Sequence, residues 1–310
     1  MKSLLLSHLF LLFFLLGIPV MVVSQKTAQK ELMDAGILKA KMGDFKAALK
    51  DLSHAVELDS TVAEPFYNRG LVRSEMKDYQ GAIRDFSKVI HLKPTLAEPY
   101  YNRGLAKDYL KDYMGAIRDY DKAVLIKADY KEAFHNMGLA KYDLGDYADA
   151  IKDFSRALQY KPDFTEAYYN RGLSRFNLHD LSGAVKDFDE AIKLDSSQYE
   201  YFSSRGAARA AQGSYEEAVR DFTGAIALFP SDTTSRLNLA LAYLYLKKYH
   251  EAIGEYDQVI ETNPEDAEAL ADRGVAKHYL ADQAGACSDW KLASQKGSDK
   301  AKGYLLKYCE

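Results

Sequence analysis

No stretch of this sequence alternates apolar and polar residues with a period of two for long enough to make a sheet, which excludes the β-rich classes. A basic excess is missing too: 41 Lys and Arg stand against 45 Asp and Glu, a formal charge of −4. Nucleic-acid-binding proteins carry a basic stripe, so the charge offers no case for that partner. Cysteine is confined to Cys287 and Cys309, and none stands near the N-terminus to carry a lipoprotein anchor. There is no phosphate-cradling glycine loop. His54, His91, His135, His179, His250 and His278 are scattered, and "HEAIG" at His250 lacks the second histidine of a zinc-protease helix. No carboxylate pair stands out from the charged background. The sequence therefore predicts no enzyme, no metal and no cofactor.

What is present begins with Lys2, an apolar run from Leu4 to Val23, and Ser24. This is the layout of a secretory signal peptide over 1–24, cut at about Gln25. The run is long enough to cross a bilayer, so an uncleaved membrane anchor is the alternative. Either way the rest of the chain works outside the cytoplasm, periplasmic or secreted. Residues 25–28 read as a short linker.

Beyond it the chain repeats itself. Gly36, Gly70, Gly104, Gly138, Gly172, Gly206, Ala240 and Gly274 are spaced by 34 residues. Alanine recurs in phase at 48, 82, 116, 150, 184, 218, 252 and 286, and a ring or leucine at 52, 86, 120, 154, 188, 222, 256 and 290. The phasing marks eight units, 29–62, 63–96, 97–130, 131–164, 165–198, 199–232, 233–266 and 267–300, with a capping helix over 301–310. Each unit reads as two helices; in the third, residues 97–110 form one and Met114–Ile126 the other, with Asp112 as its N-cap. Pro94, Pro162, Pro230 and Pro264 follow second helices, where proline stops continuation without breaking a bond. Glycine inside a helix costs about 1 kcal/mol relative to alanine. Gly104 is expected to accept that cost so that the helices of its unit approach closely, opposite Ala116.

A helical pair with Gly/Ala, Tyr, Ala, Phe/Tyr, Ala and Pro at these offsets resembles the tetratricopeptide repeat (TPR) family. The ending "CSDWKLASQKGSDKAKGYLLKYC" also resembles exported TPR proteins of the Bacteroidota. The resemblance implies an all-α, right-handed superhelical solenoid of eight TPR helix-turn-helix repeats. Two cysteines close together in an exported chain suggest one disulfide, Cys287–Cys309, with two buried free thiols as the alternative. The bond would tie the capping helix to the last repeat.

The chain departs from the family in one respect. Arg69, Arg103, Arg171, Arg205 and Arg273, with a cation four residues on, fill positions that are usually apolar. An acid recurs on the second helix at Asp51, Asp85, Asp119, Asp153, Asp187, Asp221, Glu255 and Asp289. A ladder of partly buried ion pairs is expected, with solvated helix faces as the alternative.

The family's binding surface is the concave groove lined by first helices. Carried over, it comprises Tyr67, Asn68, Tyr101, Asn102, Asp108, Tyr109, His135, Asn136, Tyr142, Asp143, Tyr169, Asn170 and Phe176. Asparagine offers donor and acceptor, so such a column can read an extended peptide backbone; it can equally make repeated helix-to-helix bonds. The tyrosines either present contact area or fill gaps between repeats. TPR domains that grip a C-terminal carboxylate place lysines where this chain has Tyr67 and Leu71, which argues against that activity. The expectation is a non-enzymatic protein–protein interaction scaffold whose groove holds a peptide or partner protein, basic or aromatic in character. Carbohydrate binding, and self-assembly into a homo-oligomer through the stack ends, are the other readings. Membrane contact is expected only through residues 1–24, if they are retained.

Overall fold

The computed structural model describes residues 23–309, all helix and turn with no strand among them. The expected signal segment lies almost wholly outside the described residues. The chain divides into two compact units, one ending at Asp146 and one beginning at Tyr147. The first holds α1 (23–41), α2 (Phe45–Leu58), α3 (Ala63–Glu75), α4 (Tyr79–Leu92), α5 (Ala97–Tyr109), α6 (Tyr113–Ile126) and α7 (Lys131–Asp143). The second holds α8 (Tyr147–Tyr160), α9 (Thr165–Asn177), α10 (Leu181–Leu194), α11 (Tyr199–Ala211), α12 (Tyr215–Leu228), α13 (Thr233–Tyr245), α14 (Tyr249–Thr262), α15 (Ala267–Tyr279), α16 (Gln283–Gln295) and α17 (Asp299–Tyr308). Within each unit a helix packs mainly on its chain neighbours, as expected of stacked helix pairs that share one core.

Five of the second helices start at an aspartate cap. Asp44, Asp78, Asp112, Asp180 and Asp282 each accept a hydrogen bond from the backbone N–H three residues on, satisfying a donor that helix geometry leaves orphaned. Residues 25–28, expected as a linker, instead belong to α1. The reason is local: Gln29 donates to the carbonyls of Ala55 and Asp59 at 2.8 and 2.9 Å, and Gln25 to that of Leu58. These bonds satisfy carbonyls at the end of α2 and anchor the start of α1.

The core is the repeat register made solid. Ala82, Phe86, Ala116, Tyr120, Ala184, Phe188, Ala218 and Phe222 are all fully buried. Gly104 serves close approach, but its partner is not Ala116. A Cβ there would lie 2.6 Å from Cε1 of the Tyr120 ring, and the same holds for Gly70 and Phe86 at 2.7 Å. The glycine makes room for the large ring two turns along the second helix, because that ring lies across the interhelical contact.

The charged ladder is present and is structural. Arg103 donates through Nε and Nη2 to Asp119 at 2.8 and 2.6 Å, and Lys107 adds a third contact at 2.7 Å. Arg69 and Arg73 clasp Asp85 in the same way, Arg171 and Arg175 clasp Asp187, and Arg205 and Arg209 clasp Asp221. The third guanidinium nitrogen crosses to the preceding second helix: Arg103 reaches Ser87, Arg205 reaches Asp189 and Arg273 reaches Asp257. One side chain thus ties two repeats together. In the seventh repeat Leu239 and Tyr243 stand at the cation positions, and Leu239 is buried. Glu255, one methylene longer than aspartate, pairs there with Arg236 at 2.7 Å, a substitution in space that the repeat register did not show.

At the C-terminal end Cys287 and Cys309 form a disulfide with Cα atoms 5.8 Å apart. It fixes α17 against α16, and Tyr304, Leu305 and Cys309 pack on the cluster of Leu270, Ala271 and Trp290. The cap starts at Asp299, two residues before the expected boundary, with Ser298 as its N-cap.

Candidate peptide-binding face

First helices neighbour one another along one side of each unit: α3 with α5 and α5 with α7 in the first, α9 with α11, α11 with α13 and α13 with α15 in the second. The tyrosines expected in a groove stand between these helices. Tyr67 packs against Phe86, Tyr101 against Tyr120 and Tyr169 against Phe188, with ring centroids 5.8–5.9 Å apart. Their hydroxyls reach the next repeat. Asn102 donates to Tyr67 and Asn136 to Tyr101, both at 2.9 Å, and Tyr169 meets Ser204 at 3.3 Å. Asn68 donates to the Glu64 carbonyl one turn back in its own helix. Of the two readings left open for the asparagines, helix-to-helix bonding is the one made at Asn102 and Asn136. Phe176 is half-buried against Phe188 and Ala208, a packing residue first. His135, Tyr142 and Asn170 are each engaged by neighbouring groups.

Surface chemistry concentrates further along the helices. Tyr109 is 69% exposed, and its inner face stacks on Tyr79 at 4.7 Å with the rings 7° from parallel. Tyr215–Tyr245 and Tyr249–Tyr279 repeat the arrangement at 4.6 and 5.0 Å. In each pair, the residue opening a second helix meets the one closing the next first helix, 30 positions on. Of these six rings only Tyr109 is among the residues expected in the groove; the recurrent 30-residue offset is the sequence signal for the pairs. Beside Tyr109, burial and then the Asp143 carboxylate push the Asp108 carboxyl up to about 6. The face is therefore aromatic and acidic. Small clefts of about 360 Å³ open beside the stacked pairs, one lined by Leu71, Asn102 and Tyr109 and its counterpart by Ala207, Asn238 and Tyr245. Among the described residues no group of three or more His, Cys, Asp or Glu could hold a metal, and no helix is long and apolar enough to cross a membrane.

Family models for the tetratricopeptide repeat match residues 63–96, 97–130, 169–233 and 209–273, and one for the TPR repeat matches 138–178. The chain belongs to the tetratricopeptide-repeat family. Among solved structures, MamA is 27% identical with a TM-score of 0.52, over 53% of this chain and 96% of that one. YrrB, described as a TPR protein with an unusual peptide-binding site, is 22% identical with a TM-score of 0.54, over 59% of this chain and 95% of that one. The C-terminal part of a TPR protein from Cytophaga hutchinsonii is 20% identical with a TM-score of 0.64, over 77% and 99%. The last two likenesses speak to the fold alone. No curated protein matches the chain.

Proposed function

We propose that this TPR chain is a non-enzymatic protein–protein interaction scaffold that works outside the cytoplasm, holding an extended peptide or partner segment on the face made by its first helices. The observation that carries the reading is the stacked tyrosine pair: Tyr79 holds the Tyr109 ring rigid while most of it faces solvent. A pre-ordered aromatic gives contact area with little further loss of side-chain freedom. Asp108 and Asp143 crowd their negative charge beside it, which favours a basic segment. YrrB, which shares the fold, has a peptide-binding site, and that supports the reading at the level of fold. Export is supported by the layout of residues 1–24 and by the Cys287–Cys309 disulfide, since disulfides persist in oxidising compartments.

A photo-crosslinking residue at position 109 tests the reading, with exposed position 118 on the second helix α6 as control. Discrete protein adducts from 109 and none from 118 are expected in the native cell. Adducts from both, or from neither, contradict it. Carbohydrate binding is the second reading, favoured by the open ring faces of Tyr109, Tyr245 and Tyr279. A glycan array on which binding disappears with Tyr109→Ala would put sugar in place of peptide.

A further inference from the structure

Three equivalent tyrosines have unequal surroundings. The inner face of each packs on the large core ring of its own repeat. The outer face of Tyr101 is covered by Tyr130, with centroids 4.8 Å apart and ring planes 36° from parallel. The outer face of Tyr169 is covered by Tyr201, also at 4.8 Å and with 42° between the planes. These covering rings come from two different places, the end of one repeat and the first turn of the next. Convergence from two sequence positions on one geometry shows that an aromatic ring is what this slot takes. At Tyr67 the corresponding residues are Leu96 and Pro99, and among the described residues no ring reaches the outer face. A cavity of about 240 Å³ is left there, lined mainly by apolar groups of Tyr67, Val89, Leu96 and Pro99. Leu96 is 40% exposed, whereas Tyr130 in the filled slot is 9% exposed. The cavity is smaller than the roughly 300–1,000 Å³ typical of small-molecule sites, so it suits one side chain rather than a whole ligand. Of the charged groups around it, Lys93 and Glu64 neutralise each other in an ion pair, while Glu98 stands exposed on the lining.

We infer that the Tyr67 cavity is an anchor pocket for an aromatic side chain of a bound peptide, seated on Tyr67 as Tyr130 seats on Tyr101, with an adjacent Lys or Arg of that peptide facing Glu98. The inference rests on the peptide-binding reading above and specifies its anchor. Aromatic anchors in desolvated pockets dominate the energetics of such interfaces, and an acid on the rim sets orientation more than affinity.

The chain supplies its own plug for the test. Leu96→Tyr copies the Tyr130 solution into the open slot, and Pro99→Tyr copies the Tyr201 solution, so at least one of the two is expected to melt no lower than wild type. Random dodecapeptides displayed on phage are selected on the purified wild-type protein, and their affinities for each variant are read by fluorescence polarisation. The expected winners carry Tyr, Phe or Trp next to Lys or Arg and bind the plugged variant at least about tenfold more weakly. Replacing the peptide's aromatic residue by alanine should lose the same factor on wild type and nothing more on the plugged variant. Peptides that bind wild type and plugged variants equally but are lost with Tyr109→Ala overturn the pocket and leave the face reading intact. A selection yielding no peptide sensitive to the plug or to Tyr109→Ala removes both.

Discussion

Replacing Asp119 by asparagine tests whether the charged ladder holds the stack together. Asp119 is 3% exposed and takes contacts from Arg103 and Lys107, whose side chains are 20% and 19% exposed. Asparagine keeps the shape, removes the charge and turns one acceptor oxygen into a donor aimed at a cation. Removing one partner of a buried ion pair costs about 3–5 kcal/mol, because the remaining charges are left desolvated. Here the cations keep partial access to water, which puts the expectation near the lower end, about 3 kcal/mol. At roughly 2–4 °C per kcal/mol for a cooperative unit of 150–250 residues, the melting midpoint should fall by about 6–12 °C. Repeat arrays do not always unfold in one step, so circular-dichroism melting is paired with hydrogen exchange, and protection should drop first in α5 and α6. Arg118→Ala, on the exposed side of α6, should stay within about 0.5 kcal/mol of wild type. Arg103→Leu/Lys107→Tyr/Asp119→Leu should be less damaging than Asp119→Asn alone, since no charge is stranded. An Asp119→Asn variant that melts with wild type would show that the pairs behave as solvated surface charges and do not hold the stack.

The remaining expectations concern packing, pH and the cap. Gly104→Ala should destabilise by about 1–2 kcal/mol, overpacking against Tyr120 outweighing a gain of about 1 kcal/mol in helix propensity. Gly254→Ala, with nothing within 4 Å of its new methyl, should instead raise the melting point, and the same sign for both would refute the close-contact account. The Asp108 carboxyl is raised to about 6 by burial and by Asp143, above its unfolded value of about 3.9, so its ionisation destabilises the fold progressively as pH rises between those values. Asp108→Asn should therefore stabilise at pH 7.5 by about 1 kcal/mol after discounting for partial exposure, with no difference at about pH 3.5; a gain equal at both pH values would contradict this. Reducing Cys287–Cys309 opens a loop of 22 residues and should cost about 3 kcal/mol in the chain-entropy account. Trp290, the sole tryptophan, packs under α17, so its emission should shift to the red, and an unchanged spectrum and midpoint would mean the cap holds without the bond.

The sequence by itself determined the helix pairs, the residues of the core and the register of acids and cations from which the ladder is built. Those features follow from spacing within a helix and from the 34-residue register, both of which are properties of the chain read in order. Only the tertiary structure decided what lies between repeats. Tyr130 and Tyr201 reach the same slot from different registers, and Arg236 replaces cations lost at 239 and 243 from one and two turns away. A repeat register treats equivalent positions as equal, whereas packing depends on which neighbouring side chain is long enough, and suitably angled, to fill the space. At Tyr67 none is, so the one slot there stays open.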